Sequence, residues 1–153
     1  MALRRPVFQS RVSEPLFRLM TEGVRLLSND TARFATLAEL IELRRRTVLL
    51  SLPRHDTAAL RGHFETAPSD GPISVACDLS RAGADCLDKA RKWLTTELTF
   101  EATLTDAVSA LLFDYAVEQS ATRLLRDMGL GTSPATVGAD SDRDDPSNVV
   151  PIR

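Results

Sequence analysis

The sequence predicts a mainly helical protein completed by a two-stranded antiparallel β-ribbon, with two copies of one strand–helix–helix unit in a single chain. Three observations predict it. Residues 7–50 and 73–125 match at a constant offset of 67 with no gap. Each begins with a short alternating segment and continues into two capped, amphipathic segments. A lone strand of that length satisfies neither its backbone nor its buried face, so each strand needs the other, paired antiparallel, with the helices beneath.

The offset sets Ser13 on Ser80, Leu27 on Leu94, and Ala35-Thr36-Leu37 on Ala102-Thr103-Leu104. Similar types coincide at Phe8 and Val75, Val12 and Leu79, Met20 and Leu87, and Ile41 and Val108. In the first strand, Phe8, Ser10 and Val12 share one side and Gln9 and Arg11 the other; in the second, Ile73, Val75, Cys77 and Leu79 point inward. Ser13 and Ser80 stand where an N-cap is needed, and Pro15 suits the first turn that follows. The stripes Leu16, Met20, Gly23, Leu27 and Gly83, Leu87, Ala90, Leu94 give each first helix one buried face. Thr36-Leu37-Ala38-Glu39 and Thr103-Leu104-Thr105-Asp106 read as capping boxes opening the second helices. Their inward residues are Leu37, Leu40, Ile41 and Val48 in one copy and Leu104, Val108, Leu111, Leu112 and Tyr115 in the other. Arg44-Arg45-Arg46 align with Leu111-Leu112-Phe113, so the first copy is expected to turn a solvated or partner-facing arginine surface outward there.

The repeats divide the chain into 1–52, a linker at 53–72, 73–130, and an acidic tail at 131–153 expected to be disordered. In the linker, Asp56 is placed to cap a short helix carrying Ala58, Leu60 and His63. The 22 residues from 51 to 72 span roughly 25 Å as a flexible chain, enough for one repeat to reach its twin.

The net charge of −2 hides a division along the chain. Residues 1–66 hold eleven Arg, no Lys and seven acids; residues 67–130 hold six bases and ten acids. A basic first half attracts phosphate and an acidic second half does not. The apolar runs are too short to cross a bilayer, and the basic start lacks the apolar segment of a secretory signal. Two cysteines, Cys77 and Cys86, build no disulfide framework, so a reducing cytoplasm is expected, with Cys77 a small core residue on its strand and Cys86 half-buried on its helix. His55 and His63 are eight apart and form no metal pair, and no nucleophile elbow, phosphate loop or zinc-protease motif occurs. A non-catalytic protein without a cofactor is expected.

The alternating strands, Ser13 and Ser80, and the Thr36 and Thr103 capping motifs together resemble the ribbon-helix-helix DNA-binding proteins of the Arc and MetJ kind. Two copies in one chain resemble the tandem single-chain form of the virulence C accessory proteins of T-DNA transfer. The resemblance covers residues 7–50 and 73–118 and implies a tandem ribbon-helix-helix pseudo-dimer. It implies a ribbon set in the major groove of double-stranded DNA. Val7, Gln9 and Arg11 would read base edges from one strand, and Ser74 and Ala76 from the other. Free N–H groups at Thr36 and Thr103 would clamp phosphates, helped by Arg4, Arg5 and Arg33. Asp78 departs from the pattern, unless it accepts from a cytosine amino group or pairs with Arg11 across the ribbon. The implied role is an accessory factor in conjugation or mobilisation, or a transcriptional regulator of a mobile element. A relaxase or other DNA-processing protein and further self-association are the additional partners considered; no membrane partner is expected. The rival reading keeps the fold as a protein-interaction module for a relaxase, toxin or partition partner.

Overall fold

The computed structural model describes residues 5–129. Strand β1 (Val7–Val12) leads into helix α1 (Glu14–Thr31), α2 (Leu37–Arg44) and the single turn α3 (Val48–Ser51). A 3₁₀ turn at Leu52–Arg54 and helix α4 (Thr57–Thr66) carry the chain to strand β2 (Ile73–Asp78), followed by α5 (Arg81–Leu98) and α6 (Leu104–Asp127). Of the described residues, 5–117 form one compact unit and 118–129 belong to a second. In the second, the described residues expose Leu124, Leu125 and Met128. No helix among the described residues is long and apolar enough to cross a membrane.

The two strands form one antiparallel sheet in which Gln9 pairs with Ala76, the residue 67 positions on. Phe8 pairs with Cys77 and Ser10 with Val75, Val7 with Asp78 and Arg11 with Ser74. Leu79 N–H extends the ladder by donating to Pro6 O at 2.8 Å. Phe8 and Val12 are buried, while Ile73, Val75 and Cys77 are half-buried on the same inward face.

The first helices of the two repeats start and stop at matching positions. Ser13 Oγ accepts from Leu16 N–H at 3.2 Å and Ser80 Oγ from Gly83 N–H at 2.8 Å. Both helices end on a left-handed residue, Ala32 at φ 58° and Thr99 at φ 56°. Neither is glycine, and the β-branched Thr99 carries the larger steric penalty. Side-chain bonds hold the two loops: Ser28 Oγ accepts from Ala35 N–H at 2.9 Å, and Thr95 Oγ1 from Ala102 N–H at 3.0 Å. The buried stripes Leu16, Met20, Gly23, Leu27 and Gly83, Leu87, Ala90, Leu94 are those expected from the spacing. They share one core with Leu40, Ile41, Val48, Leu52 and Leu60, and with Val108, Leu111, Leu112 and Tyr115 of α6.

The second helices differ, and this corrects the expected arginine surface. The first copy's helix breaks after Arg44 and restarts at Val48, whereas α6 continues to Asp127. Arg44 is only 7% exposed. Its Nη2 donates to Asp114 Oδ2 at 2.9 Å, and its guanidinium lies 5.5 Å from the Tyr115 ring centre. Asp114, 3% exposed, also accepts from Ser51 Oγ at 2.8 Å and meets His55 Nε2 at 2.7 Å. Leu111, the residue opposite Arg44 in the repeat, needs no such partner. Arg46 alone of the three arginines is exposed, and Arg45, half-buried, pairs with Glu42.

Smaller differences follow from packing. Leu104, expected inward, is 43% exposed at the first turn of α6. Asp56 stands at the N-cap of α4 but makes no side-chain cap bond. The two cysteines exchange their expected places, Cys86 buried and Cys77 half-buried, and burial raises both thiols above their ordinary range. The expected acidic tail at 131–153 lies outside the described residues.

Both histidines of the chain lie in the linker and bond to α6. His63 Nε2 meets the buried Ser109 Oγ at 2.7 Å, and Phe113 lies 5.2 Å from the His55 ring and 4.8 Å from the His63 ring. Burial depresses the His63 pKa below its ordinary 6.5. The unfolded chain therefore takes up this proton first, and the associated stability is complete above pH 6.5 and lost as pH falls through the lower folded pKa.

Three predictions concern this packing. A Cβ on Gly71 would stand 2.4 Å from Ser13 Cα and 2.5 Å from Val12 O, both backbone atoms, whereas one on Gly62 meets nothing within 4 Å. Gly71→Ala should destabilise by at least about 1–3 kcal/mol, and Gly62→Ala in α4 should stabilise by about 0.5–1 kcal/mol; urea midpoints of the two variants should move in opposite directions. Asp114→Ala removes the 2.9 Å bond from Arg44 and the acceptor shared by Ser51 and His55 and should cost about 3–5 kcal/mol, much of it recovered in Arg44→Leu/Asp114→Leu; equal midpoints for the single and double variants would contradict this. The urea midpoint of the parent chain should fall between about pH 7.5 and 5, and His63→Gln should flatten that fall; parallel curves would show that His63 contributes nothing to it.

Candidate nucleic-acid interface

The alternation of β1 and β2 leaves six side chains on the outer face of the ribbon: Val7, Gln9, Arg11, Ser74, Ala76 and Asp78, all exposed. The register arranges them as three facing pairs, Arg11 with Ser74, Gln9 with Ala76, and Val7 with Asp78. A shallow hollow of about 460 Å³ runs over the first two pairs, lined by Gln9, Ser10, Arg11, Ser74, Val75 and Ala76. Arg11 and Asp78 stand at opposite ends of the face, so the considered pairing between them is not formed. Arg11 Nη2 instead donates to Pro72 O at 3.1 Å. That bond uses one of the five donors of a guanidinium. Gln9 adds an amide with both donor and acceptor, Ser74 a hydroxyl, and Ala76 and Val7 apolar surface.

The second helices flank the ribbon on either side. Ser10 Oγ and Thr105 Oγ1 share a hydrogen bond at 2.7 Å, fastening the first turn of α6 beside β1. Leu37, at the start of α2, lines a groove with Phe17, Met20 and Val24 of α1 and with Val75 of β2. Ser80 Oγ donates to Glu42 Oε1 at 2.6 Å, joining α2 to the cap of α5. This bond and Arg45 hold the Glu42 carboxyl below the ordinary range.

Both capping boxes are complete, which corrects the expected free amides. Thr36 N–H donates to Glu39 Oε1 at 2.9 Å, and Thr103 N–H to Asp106 Oδ2 at 2.8 Å. In return Thr36 Oγ1 accepts from Glu39 N–H, and Thr103 Oγ1 from Asp106 N–H, both at 3.1 Å. Ser69 Oγ also donates to Asp106 Oδ1. The amides without a helical acceptor are instead those of the first two residues inside each helix, Leu37 and Ala38, and Leu104 and Thr105. A carboxylate beside each helix start occupies the position that the helix dipole offers to an anion.

Arg33 Nη1 donates to Glu39 Oε2 at 3.1 Å, and this bond with Thr36 N–H keeps Glu39 below the ordinary carboxylate range. Arg5 is exposed just ahead of β1; Arg4 lies outside the described residues. The ribbon thus brings Val7, Gln9, Arg11, Ser74 and Ala76 together on one face, with Thr36 and Arg33 beside one edge and Thr103 beside the other.

Phe34 escaped the sequence reading. It is 97% exposed in the α1–α2 loop, between Arg33 and the residues that cap α2. Its signal was an aromatic residue in a turn, outside every apolar period.

No family model, curated protein or solved structure matches this chain.

Proposed function

We propose that this chain is a tandem ribbon-helix-helix pseudo-dimer that binds double-stranded DNA by setting its β-ribbon in the major groove. The observation that carries the reading is the strand register centred on Gln9 and Ala76. Each of those residues is the other's counterpart at the 67-residue offset, and on either side of them counterparts exchange partners. The helices α1 and α5 keep the same offset at both ends, and so do the starts of α2 and α6. A two-stranded ribbon, with strands about 4.8 Å apart, fits a groove about 12 Å wide.

In this reading Arg11 forks onto guanine O6 and N7, Gln9 onto adenine N6 and N7, and Ala76 meets a thymine methyl group. The amides of Leu37, Ala38, Leu104 and Thr105, with Arg5 and Arg33, approach phosphates and fix the register. The flanking carboxylates of Glu39 and Asp106 reduce the electrostatic share of affinity, so base contacts carry more of it. The resemblance to the virulence C proteins directs the role toward DNA mobilisation or regulation of a mobile element. A second reading, a protein-interaction module with the same fold, is favoured by Asp78 on the outer face and by the completed capping boxes.

Fluorescence anisotropy across a salt series tests the proposal: affinity for a selected duplex should fall as salt rises. Arg11→Ala should weaken binding to a guanine-containing site by about 1–3 kcal/mol. Failure to bind any duplex at low salt, together with recovery of a protein partner, would decide for the second reading.

A further inference from the structure

We propose that the ribbon reads a non-palindromic duplex site and docks on it in one orientation, with Arg11 toward guanine and Asp78 toward a cytosine amino group. This inference rests on the DNA-binding reading and adds the class of site. A twofold ribbon with equal halves reads an inverted repeat, because rotation presents the same side chains to both half-sites. This ribbon keeps the symmetric register but carries unlike residues at equivalent places. At the 67-residue offset Arg11 corresponds to Asp78, Val7 to Ser74, and Gln9 to Ala76.

One end of the outer face therefore holds a guanidinium and a hydroxyl, Arg11 and Ser74; the other holds a carboxylate and an apolar side chain, Asp78 and Val7. The first end suits guanine, whose major-groove edge presents two acceptors. The second suits cytosine N4, a donor, beside a thymine methyl group. Turning the protein round on the same site would set the Asp78 oxygens against guanine O6 and N7, acceptor against acceptor. Arg11 would then meet the cytosine donor with donors of its own. Both mismatches leave polar groups unpaired at a desolvated surface.

The flanks point the same way. The loop before α2 carries Arg33 and Phe34, whereas the equivalent residues before α6 are Phe100 and Glu101. Phe100 lies edge-on to Phe64 at 5.7 Å, and Glu101 is exposed. A guanidinium paired with Glu39 and an exposed aromatic thus stand on the β2 side, and an exposed acid on the β1 side, where a docked duplex would bring one of its backbones.

Selection of the full chain on random duplexes tests this. The enriched motif should be asymmetric, and inverted repeats built from either half of it should bind at least about tenfold more weakly. Asp78→Arg, at an exposed position, should shift the enriched motif toward an inverted repeat with guanine at both ends, with circular dichroism unchanged. Glu101→Gln should tighten binding and add protection on one strand only. A palindromic motif, or inverted repeats bound as tightly as the selected site, would overturn the single orientation while leaving DNA binding intact. Enrichment of no duplex at low salt would remove the DNA-binding reading and this inference with it.

Discussion

The pairing of β1 with β2 is the constraint on which the other features depend. Each strand alone would leave a row of N–H and C=O groups without partners and a half-apolar face without cover. Joined antiparallel, they satisfy one another over six residue pairs and present one inward face to the helices. The same register sets Arg11 against Ser74 and Val7 against Asp78, so it also determines the chemistry of the outer face. A slip of one residue would reverse every side chain, bringing Gln9 and Arg11 into the core. Phe8 and Val12, both fully buried, resist that slip.

The two halves then meet unequal demands. In the second half, α6 runs unbroken and buries Leu111 and Leu112. In the first half, the equivalent stretch carries arginine, and the chain turns after Arg44 to bring its side chain to Asp114. A buried cation without a partner would be very costly; with the Asp114 carboxylate opposite it, itself bonded by Ser51 and His55, the cluster is tolerated and is geometrically specific. Ser51 enters that cluster from the end of the first repeat and His55 from the linker, and His63 bonds Ser109 from α4. The linker is thus fastened to the helix of the second half, beyond what a flexible tether requires. Gly71 completes the arrangement by letting its backbone approach Val12 and Ser13 at a distance that no side chain permits.

The starts of α2 and α6 illustrate a competition for the same groups. Capping boxes stabilise each helix by supplying its first amides with a carboxylate, and that carboxylate also occupies the site an incoming phosphate would use. Helix stability is satisfied at Thr36 and Thr103, which moves any phosphate contact to the next amides and to Arg33 and Arg5. The outer face carries one cation, Arg11, and one anion, Asp78, so long-range attraction to nucleic acid is weak from the ribbon itself. Discrimination by shape and hydrogen-bond pattern is what remains for that face to supply.

Local rules in the sequence were sufficient for the strands, the Ser13 and Ser80 caps, the Thr36 and Thr103 boxes, and the buried stripes of α1 and α5. Each rests on spacings of two to four residues, and such spacings are visible along a chain. The alternation alone separates Gln9, Arg11, Ser74 and Ala76 from the core. What tertiary structure alone decided involves partners far apart: Arg44 with Asp114, 70 residues on, and His63 with Ser109, 46 residues on. It likewise decided that Arg11 faces Ser74 rather than Asp78, since register between distant strands depends on how both pack against a common core. Composition marks arginine as a surface residue; only the presence of a buried carboxylate opposite it reverses that preference.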